Sequence, residues 1–330
     1  MLFATLILCF LTAATIAQNV VDKQQKSPDT RELQETPEWV FPGYPDQGPV
    51  IAVLVSSRPQ DVEELTTALR SLVFLKGDDP DFPAPVLVFN EGDLSEEQVQ
   101  SIKASTTRPM AFPNVDFSVF PSGWNHETES RMFRVKGRQE WGYYQMIRFW
   151  ITGIWKHPAL GPYGTVMRID SDSCFKDFND HLPNLKNENL VYHSQYVGYE
   201  DGLEYTTGLI EFTENFMQRT NKAPGNPFMW HFIKATWAAH KTLPVFMTNF
   251  EVTKKAFMLR PDVIDWHDSL TEGEPFGIFR YRWGDAVTRF LTAAIFTTNE
   301  RVMTSRPVGY GHKQQCLKEE VEQALNKIQQ

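Results

Sequence analysis

The chain has 330 residues, 42% of them apolar, which is enough to bury a substantial core and too apolar for a disordered polymer. Its 41 Asp+Glu against 32 Lys+Arg leave a formal charge of -9, so the basic footprint that a phosphate backbone needs is missing and nucleic acid is set aside as a partner. Three cysteines, none in a C-x-x-C pair, argue against a disulfide-built scaffold and against a zinc ribbon.

No charged residue occurs from Met1 to Val21, and Leu2 to Leu11 is almost continuously apolar before the small-residue stretch Thr12 to Ala17. A signal peptide wants an apolar run of about 7 to 15 residues and a small-x-small cleavage site, whereas a membrane anchor wants about 20 apolar residues. Residues 1–17 fall between the two and read either as a cleaved signal peptide or as a short anchor, with no Lys or Arg ahead of them to set an orientation. Both deliver the rest of the chain to the secretory lumen, and the membrane is met only through this segment. Gln18 to Gly48 has the polar, proline-bearing composition of a flexible stem, which leaves 49–330 as the folded domain. No Asn-x-Ser/Thr acceptor occurs anywhere in the chain. With Cys9 inside the targeting segment, Cys174 and Cys316 remain as the lumenal thiols, and the sequence leaves open whether they form a disulfide or stay as two buried thiols.

Pro49 to Val55 is a β-branched run without polar alternation, as expected of a strand buried on both faces of a parallel sheet. A helix should follow, capped by Asp61 with Glu64 completing a capping box, and carrying Val62, Leu65, Leu69, Leu72 and Val73 at helical spacing. Ala84 to Asn90 reads as a second buried strand, and Ser95 with Gln98 opens another capped helix. Tyr143 to Trp155 is a further helix with Met146, Ile147, Trp150 and Ile154 as its stripe, and Gly164 to Ile169 is a third strand. This β-α-β-α order predicts an α/β domain with a mainly parallel or mixed central sheet flanked by helices, in which ligands gather beyond the carboxyl ends of the strands. Ser56-Ser57-Arg58-Pro59 after the first strand lacks the glycines of a dinucleotide fingerprint, which argues against a nicotinamide or flavin cofactor.

The third strand runs directly into Asp170-Ser171-Asp172. Two carboxylates at spacing two, just past a buried strand, offer hard oxygen ligands for Mg²⁺ or Mn²⁺ in the crevice where such folds bind ligands. A cation held there can neutralise a departing diphosphate. The D-x-D spacing by itself also occurs as an ordinary turn.

The runs Tyr143-Tyr144-Gln145-Met146-Ile147-Arg148-Phe149, His157-Pro158-Ala159-Leu160, Asn249-Phe250-Glu251, Arg282-Trp283-Gly284-Asp285 and Gly309-Tyr310-Gly311-His312 stand in one order along the chain, with Arg70-Ser71-Leu72 and Val88-Phe89-Asn90-Glu91 before them. This series resembles glycosyltransferase family 15, the luminal α-1,2-mannosyltransferases of the secretory pathway. The resemblance implies a single nucleotide-sugar-binding domain of the GT-A type over 49–330. It also implies Mn²⁺ or Mg²⁺, and retaining transfer of mannose from the donor GDP-mannose to a mannose hydroxyl of a protein-linked or lipid-linked glycan, most naturally in the Golgi. By the same resemblance Glu251 is the nucleophile or transition-state stabiliser, and Tyr143 is an active-site tyrosine. Asp285 lies near the acceptor or supports the site, and His312 ligates the metal with Asp170 and Asp172. Arg58, shortly after the first strand, is a candidate nucleotide contact. The chain departs from the family pattern at Asp170-Ser171, where Glu-Pro is usual, leaving open which of Asp170 and Asp172 is the principal ligand.

Each residue also has a plainer reading: Glu251 as the buried partner of an arginine, His312 as a loop histidine, Asp285 as the N-cap of the helix through Val287 and Phe290, Tyr143 as core. Two other functions compete. A glycoside hydrolase would use Glu251 and Asp285 as paired carboxylates, and an inactive glycan-binding protein would keep the fold without the metal site.

Overall fold

The structure, a computed structural model, describes residues 39–75, 84–129, 140–178, 189–200 and 202–328. The expected targeting segment 1–17 and most of the expected stem lie outside them. Among the described residues no helix is long and apolar enough to cross a membrane.

Eleven strands are defined: β1 Pro49–Leu54, β2 Val86–Phe89, β3 Met110–Ala111, β4 Thr165–Ile169, β5 Ser173–Phe175, β6 Tyr192–Ser194, β7 Val197–Tyr199, β8 Pro244–Phe246, β9 Phe250–Lys254, β10 Val302–Thr304 and β11 Tyr310–His312. Seven of them form one sheet in the order β10-β6-β9-β4-β1-β2-β3. β3, β2, β1 and β4 run parallel, while β9 lies antiparallel between β4 and β6. The α/β architecture with a mixed sheet is therefore as expected. The run Gly164 to Ile169 is the fourth strand in chain order, because the two-residue β3 precedes it.

Both sheet faces are covered, which explains the unbroken apolar runs. Val50, Ala52, Leu87, Phe89 and Val166 point to one side, against Trp150, Ile154, Val287 and Phe290. Ile51, Val53, Val86, Met167 and Ile169 point to the other, against Val62, Leu65 and Leu69.

Two helix expectations are corrected. The first helix runs Pro59–Arg70 with Arg58 at the N-cap, so Asp61 does not cap it. Pro59 already has the φ that the first helical position needs, which moves the start three residues upstream. The Asp61 carboxylate instead accepts from Ser56 Oγ and the Arg58 guanidinium. The helix expected over Tyr143–Trp155 begins at Trp141 and continues to Lys156 through a π-helical turn at Phe149–Gly153. Ser95 and Gln98 do form the expected capping box.

Cys174 and Cys316 are joined in a disulfide, with Cα atoms 5.6 Å apart. Cys174 lies in β5, which pairs antiparallel with β11. On the other side, β7 and β8 pair antiparallel and prolong the β6–β9 ribbon beyond the edge of the main sheet.

The segment that leads into the helix Asp285–Phe296 is fixed by a close approach. A Cβ on Gly277 would stand 2.0 Å from the Trp283 ring, while the indole N–H donates to the Thr207 carbonyl at 2.9 Å. Gly277→Ala is expected to cost about 3 kcal/mol, the upper part of the overpacking range. Thermal unfolding measures it, and an unchanged midpoint would show that the ring is not held there.

Candidate active site

The site is built on Arg168. Arg168 and Asp170 are two residues apart and so project to the same side, Asp170 just past the end of β4. The Arg168 side chain is only 5% exposed. Its Nε and Nη2 donate to Asp170 Oδ1 at 3.1 and 3.0 Å, and its Nη1 donates to Asp285 Oδ2 at 2.5 Å. The same Nη1 is 3.9 Å from Glu251 Oε1, and the guanidinium lies 4.1 Å from the centre of the Trp150 ring. Strand register explains the convergence, because Arg168 of β4 and Ser194 of β6 both stand opposite Glu251 of β9.

Glu251 is 2% exposed. Its Oε2 accepts from the Tyr192 hydroxyl at 2.7 Å and from Arg289 Nε at 3.1 Å. The plainer reading of Glu251, a buried partner of arginine, thus describes its contacts. Asp285 occupies the first position of the helix Asp285–Phe296, with Gly284 and not Asp285 as the N-cap. An acid in this first turn is favoured by the helix dipole, and Thr248 Oγ1 donates to it at 2.9 Å.

Burial by itself pushes the Asp285 carboxyl up, but Arg168, with Arg289 and Thr248, brings it below the usual carboxylate value. For Asp170 burial prevails over Arg168, and the neighbouring charges of Asp172 and Asp285 add to it, so this carboxyl is raised. Burial works against the Arg168 charge, yet Asp170, Asp285 and Glu251 together raise its pKa and keep it protonated. Burial and then Glu251 push the Tyr192 phenol well up, leaving it a neutral donor.

Asp170, Asp172 and His312 bring ligand atoms within 4.8 Å of one another. His312 Nε2 lies 3.0 Å from Asp172 Oδ1. Burial raises the Asp172 carboxyl, but His312 and Lys313 outweigh it and the net shift is downward. The pairing of β11 with β5 puts His312 opposite Ser173. Tyr310 Oη lies 2.8 Å from Ser173 Oγ and donates to the Asn249 carbonyl at 2.9 Å, tying this strand pair to the residue that leads into β9. Two carboxylates and an imidazole suit a hard or borderline divalent ion such as Mn²⁺ or Mg²⁺, and the mutual distances fit one ion. Beside Asp172 opens a cavity of about 650 Å³ lined by Gln60, Glu64, Thr67, Lys313 and Lys318, within the size range of small-ligand sites.

Tyr143 is linked to this cluster through a different arginine. Arg282 Nη2 donates to its hydroxyl at 2.7 Å and Arg282 Nη1 to Glu200 at 2.9 Å, and Arg282 precedes Asp285 by three residues. Arg58 is 77% exposed and paired with Asp61, and its contacts do not reach the Arg168 cluster. His193 and His267 are buried and bonded to Ser305 and Thr292, as structural residues should be, whereas His231 is exposed. Sequence reasoning missed Arg168, Arg289, Tyr192 and Arg282. Arg168 at two residues from Asp170, and Arg289 one helical turn after Asp285, carried a readable spacing, whereas Tyr192 carried none.

The sheet order and the acids past an inner strand define a GT-A-type fold. The chain belongs to the glycolipid 2-alpha-mannosyltransferase family, whose sequence model matches residues 12–327. Among its relatives is the glycolipid 2-alpha-mannosyltransferase of Saccharomyces cerevisiae, 21% identical over 261 residues, covering 76% of this chain and 58% of that one. Another is the O-glycoside alpha-1,2-mannosyltransferase homolog 2 of Schizosaccharomyces pombe, 24% identical over 200 residues, covering 60% and 52%. The chain thus spans a little over half the length of these relatives. Core-mannan synthase A from Aspergillus fumigatus, solved in a Mn/GDP form, superposes with a TM-score of 0.67 at 22% identity, covering 79% of this chain and 74% of that one. The mannosyltransferase Ktr4p of S. cerevisiae in complex with GDP gives 0.67 at 19% identity, covering 81% and 71%.

Arg168→Lys removes the forked contact to Asp170 while keeping the charge. It is expected to weaken Mn²⁺ binding by roughly 10- to 100-fold, as loss of a ligand's supporting partner does. Titration calorimetry with Mn²⁺ checks this, and an unchanged affinity would mean that Arg168 does not hold the ligand. The double variant Cys174→Ser, Cys316→Ser should likewise bind Mn²⁺ more weakly, because the disulfide anchors the β5–β11 pair that presents His312.

Proposed function

We propose that the chain is a retaining α-1,2-mannosyltransferase that moves mannose from GDP-mannose to a mannose hydroxyl of a protein-linked or lipid-linked glycan. The observation that carries this reading is the convergence of Asp170, Asp172 and His312 within 4.8 Å, joined through Arg168 to Glu251 and Asp285. Family membership and the printed names of the relatives support it. We take 49–330 as the catalytic domain, 18–48 as a stem and 1–17 as a signal or short anchor. With that organisation the enzyme would work in the secretory lumen, and we take the Golgi as its compartment from the family alone.

Asp170, Asp172 and His312 would hold a divalent ion, Mn²⁺ or Mg²⁺, which when bound supplies Lewis-acid neutralisation of a departing diphosphate. Arg58, exposed and just past the end of β1, is positioned to meet the nucleotide when it leaves Asp61. Glu251 keeps its charge in place against Arg289 and Tyr192, so a positive anomeric centre above it is stabilised by a carboxylate that need not reorganise. The same carboxylate serves as the nucleophile if a covalent step occurs. Asp285, ionised, accepts a hydrogen bond from the acceptor hydroxyl and orients it. The Tyr143 hydroxyl accepts from Arg282 Nη2, which fixes the ring beside that guanidinium and three residues from the Asp285 turn.

A hydrolase built on Glu251 and Asp285 is disfavoured by the electrostatics. Its acid would need a raised pKa to protonate the leaving sugar, and Asp285 is shifted the other way.

The full chain is to be incubated with a panel of sugar nucleotides and a mannose acceptor, with and without Mn²⁺. Turnover of GDP-mannose that requires Mn²⁺ is expected, and Glu251→Gln and Asp172→Ala should each lower kcat by roughly two orders of magnitude or more. Preference for another sugar nucleotide, or full activity of Asp172→Ala with an unchanged thermal midpoint, would overturn the reading.

A further inference from the structure

A second cavity, of about 370 Å³, opens at the end of the sheet opposite the Asp170 cluster. Gly164 on its wall precedes β4 and Asp170 follows that strand, which separates the two by roughly 20 Å. Three of the residues around this cavity are cationic, Lys254, Arg260 and Arg301, and none is acidic, in a chain whose net charge is -9. Like charges lining one concavity focus its potential and draw anions in. Val191 and Phe257 add an apolar part.

Each cation is set by a different element. Lys254 ends β9 opposite Thr165, and its Nζ donates to Thr165 Oγ1 at 3.0 Å. Arg260 donates to Asp262 through Nε at 3.1 Å and Nη2 at 2.7 Å, and to the Phe296 carbonyl through Nη1 at 3.0 Å. Lys222 also donates to Asp262, at 2.8 Å, so two cations share that acid. Arg301 is exposed, and among the described residues only its Nε makes a hydrogen bond, to the Asn189 carbonyl at 3.1 Å. That bond fixes the guanidinium and leaves both Nη groups available. The preceding Glu300 is hydrogen-bonded to Thr298.

A guanidinium fork matches the oxygens of a phosphate or a carboxylate. Three cations exceed what a singly charged carboxylate would neutralise, whereas a phosphate ester carries nearly two charges. We infer that this cavity binds a phosphate ester, with Arg301 and Lys254 on the phosphate oxygens, Arg260 adding charge, and Phe257 and Val191 against the adjoining carbons. A lipid headgroup and a soluble ester both offer that group. The residues leading into β1 cross the rim: the Gly164 N–H donates to the Gly48 carbonyl at 3.2 Å, and a Cβ on Gly164 would stand 2.6 Å from the Gln47 carbonyl oxygen. A headgroup would therefore be met beside the point where the chain enters the domain. The inference stands whether or not the chain turns over GDP-mannose.

The test uses the full chain with a chelator, so that no cation brings phosphate to Asp172 and His312. Inorganic phosphate is titrated by phosphorus NMR and calorimetry, with acetate at equal ionic strength as the control. Phosphate should bind more tightly than acetate, and Arg301→Ala should weaken it roughly tenfold or more at an unchanged thermal midpoint. Arg301→Lys should recover part of the affinity, and Lys254→Met should lower it. Glycerol phosphate and co-sedimentation with phosphatidylcholine vesicles, with and without phosphatidic acid, separate the sources. Capture that needs phosphatidic acid and is lost in Arg301→Ala assigns a lipid headgroup, while binding of glycerol phosphate without capture assigns a soluble ester. The site is overturned if the wild type binds none of these probes, if acetate binds as tightly as phosphate, or if Arg301→Ala and Lys254→Met both leave phosphate binding unchanged.

Discussion

The placement of one buried guanidinium governs the rest of the site. Desolvating a charged side chain costs several kcal/mol, and a buried pair gives back this cost only when its geometry satisfies both partners. Arg168 is satisfied at every side: Asp170 along its fork, Asp285 at Nη1, Glu251 behind, and Trp150 against its face. These partners come from β4, from the start of a helix more than a hundred residues later, and from β9, so a shift of β4 by one residue would leave charges unpaired. Such a cluster is a poor route to stability and a good means of fixing register. The charges do not cancel, however. Asp170, Glu251 and Asp285 face Arg168 and Arg289, and Asp172 adds a further carboxylate at the outer end. Burial is the first cause of the raised Asp170 carboxyl and the charges of Asp172 and Asp285 add to it, and a divalent cation would relieve that repulsion.

Around this fixed floor the two antiparallel strand pairs are held differently. β5–β11 presents His312 to Asp172 and is anchored three ways: by the disulfide, by the Tyr310–Ser173 contact and by the Asn249 carbonyl. If it takes up an ion, that rigidity helps, since ligands set in advance lose less entropy on binding. The β7–β8 pair is tied instead to Arg282, through its ion pair with Glu200 just past β7 at 2.9 Å.

The sequence was most legible where burial is two-sided. β1, β2 and β4 stood out as unbroken apolar runs because both faces of the sheet are covered. Asp170 and Asp172 were legible because they follow such a run directly. The first helix was misjudged at its start, since Asp61 has the chemistry of a cap but Pro59 sets the position. β3 is too short for any periodicity. Arg168 was passed over because an arginine inside a buried strand makes sense only once its three carboxylates are known, and two of those lie far along the chain. The disulfide depended on the β5–β11 pairing across 142 residues, which no local pattern encodes. Glu251 and His312 were found through family resemblance and not through local pattern, because each is an isolated polar residue among apolar or glycine neighbours.

The replacement of Glu-Pro by Asp170-Ser171 can now be weighed. Both Asp170 and Asp172 fall within the ligand cluster, so the shorter carboxylate has not left it, and Arg168 holds it there by two N–H groups. A proline in the turn would have restricted the unfolded chain, an effect worth about 0.4 to 1 kcal/mol. The turn still closes without it, the Ser173 N–H donating to the Asp170 carbonyl at 3.0 Å. One residue after Ser173 stands Cys174, and a cross-link closing a loop of 142 residues contributes about 5 kcal/mol by the loop-entropy relation. The cross-link constrains the same stretch of backbone more strongly than the missing ring would have. The substitution therefore removes a local restraint at a point where a long-range one already holds the turn, and Asp170, Asp172 and His312 still come within 4.8 Å of one another.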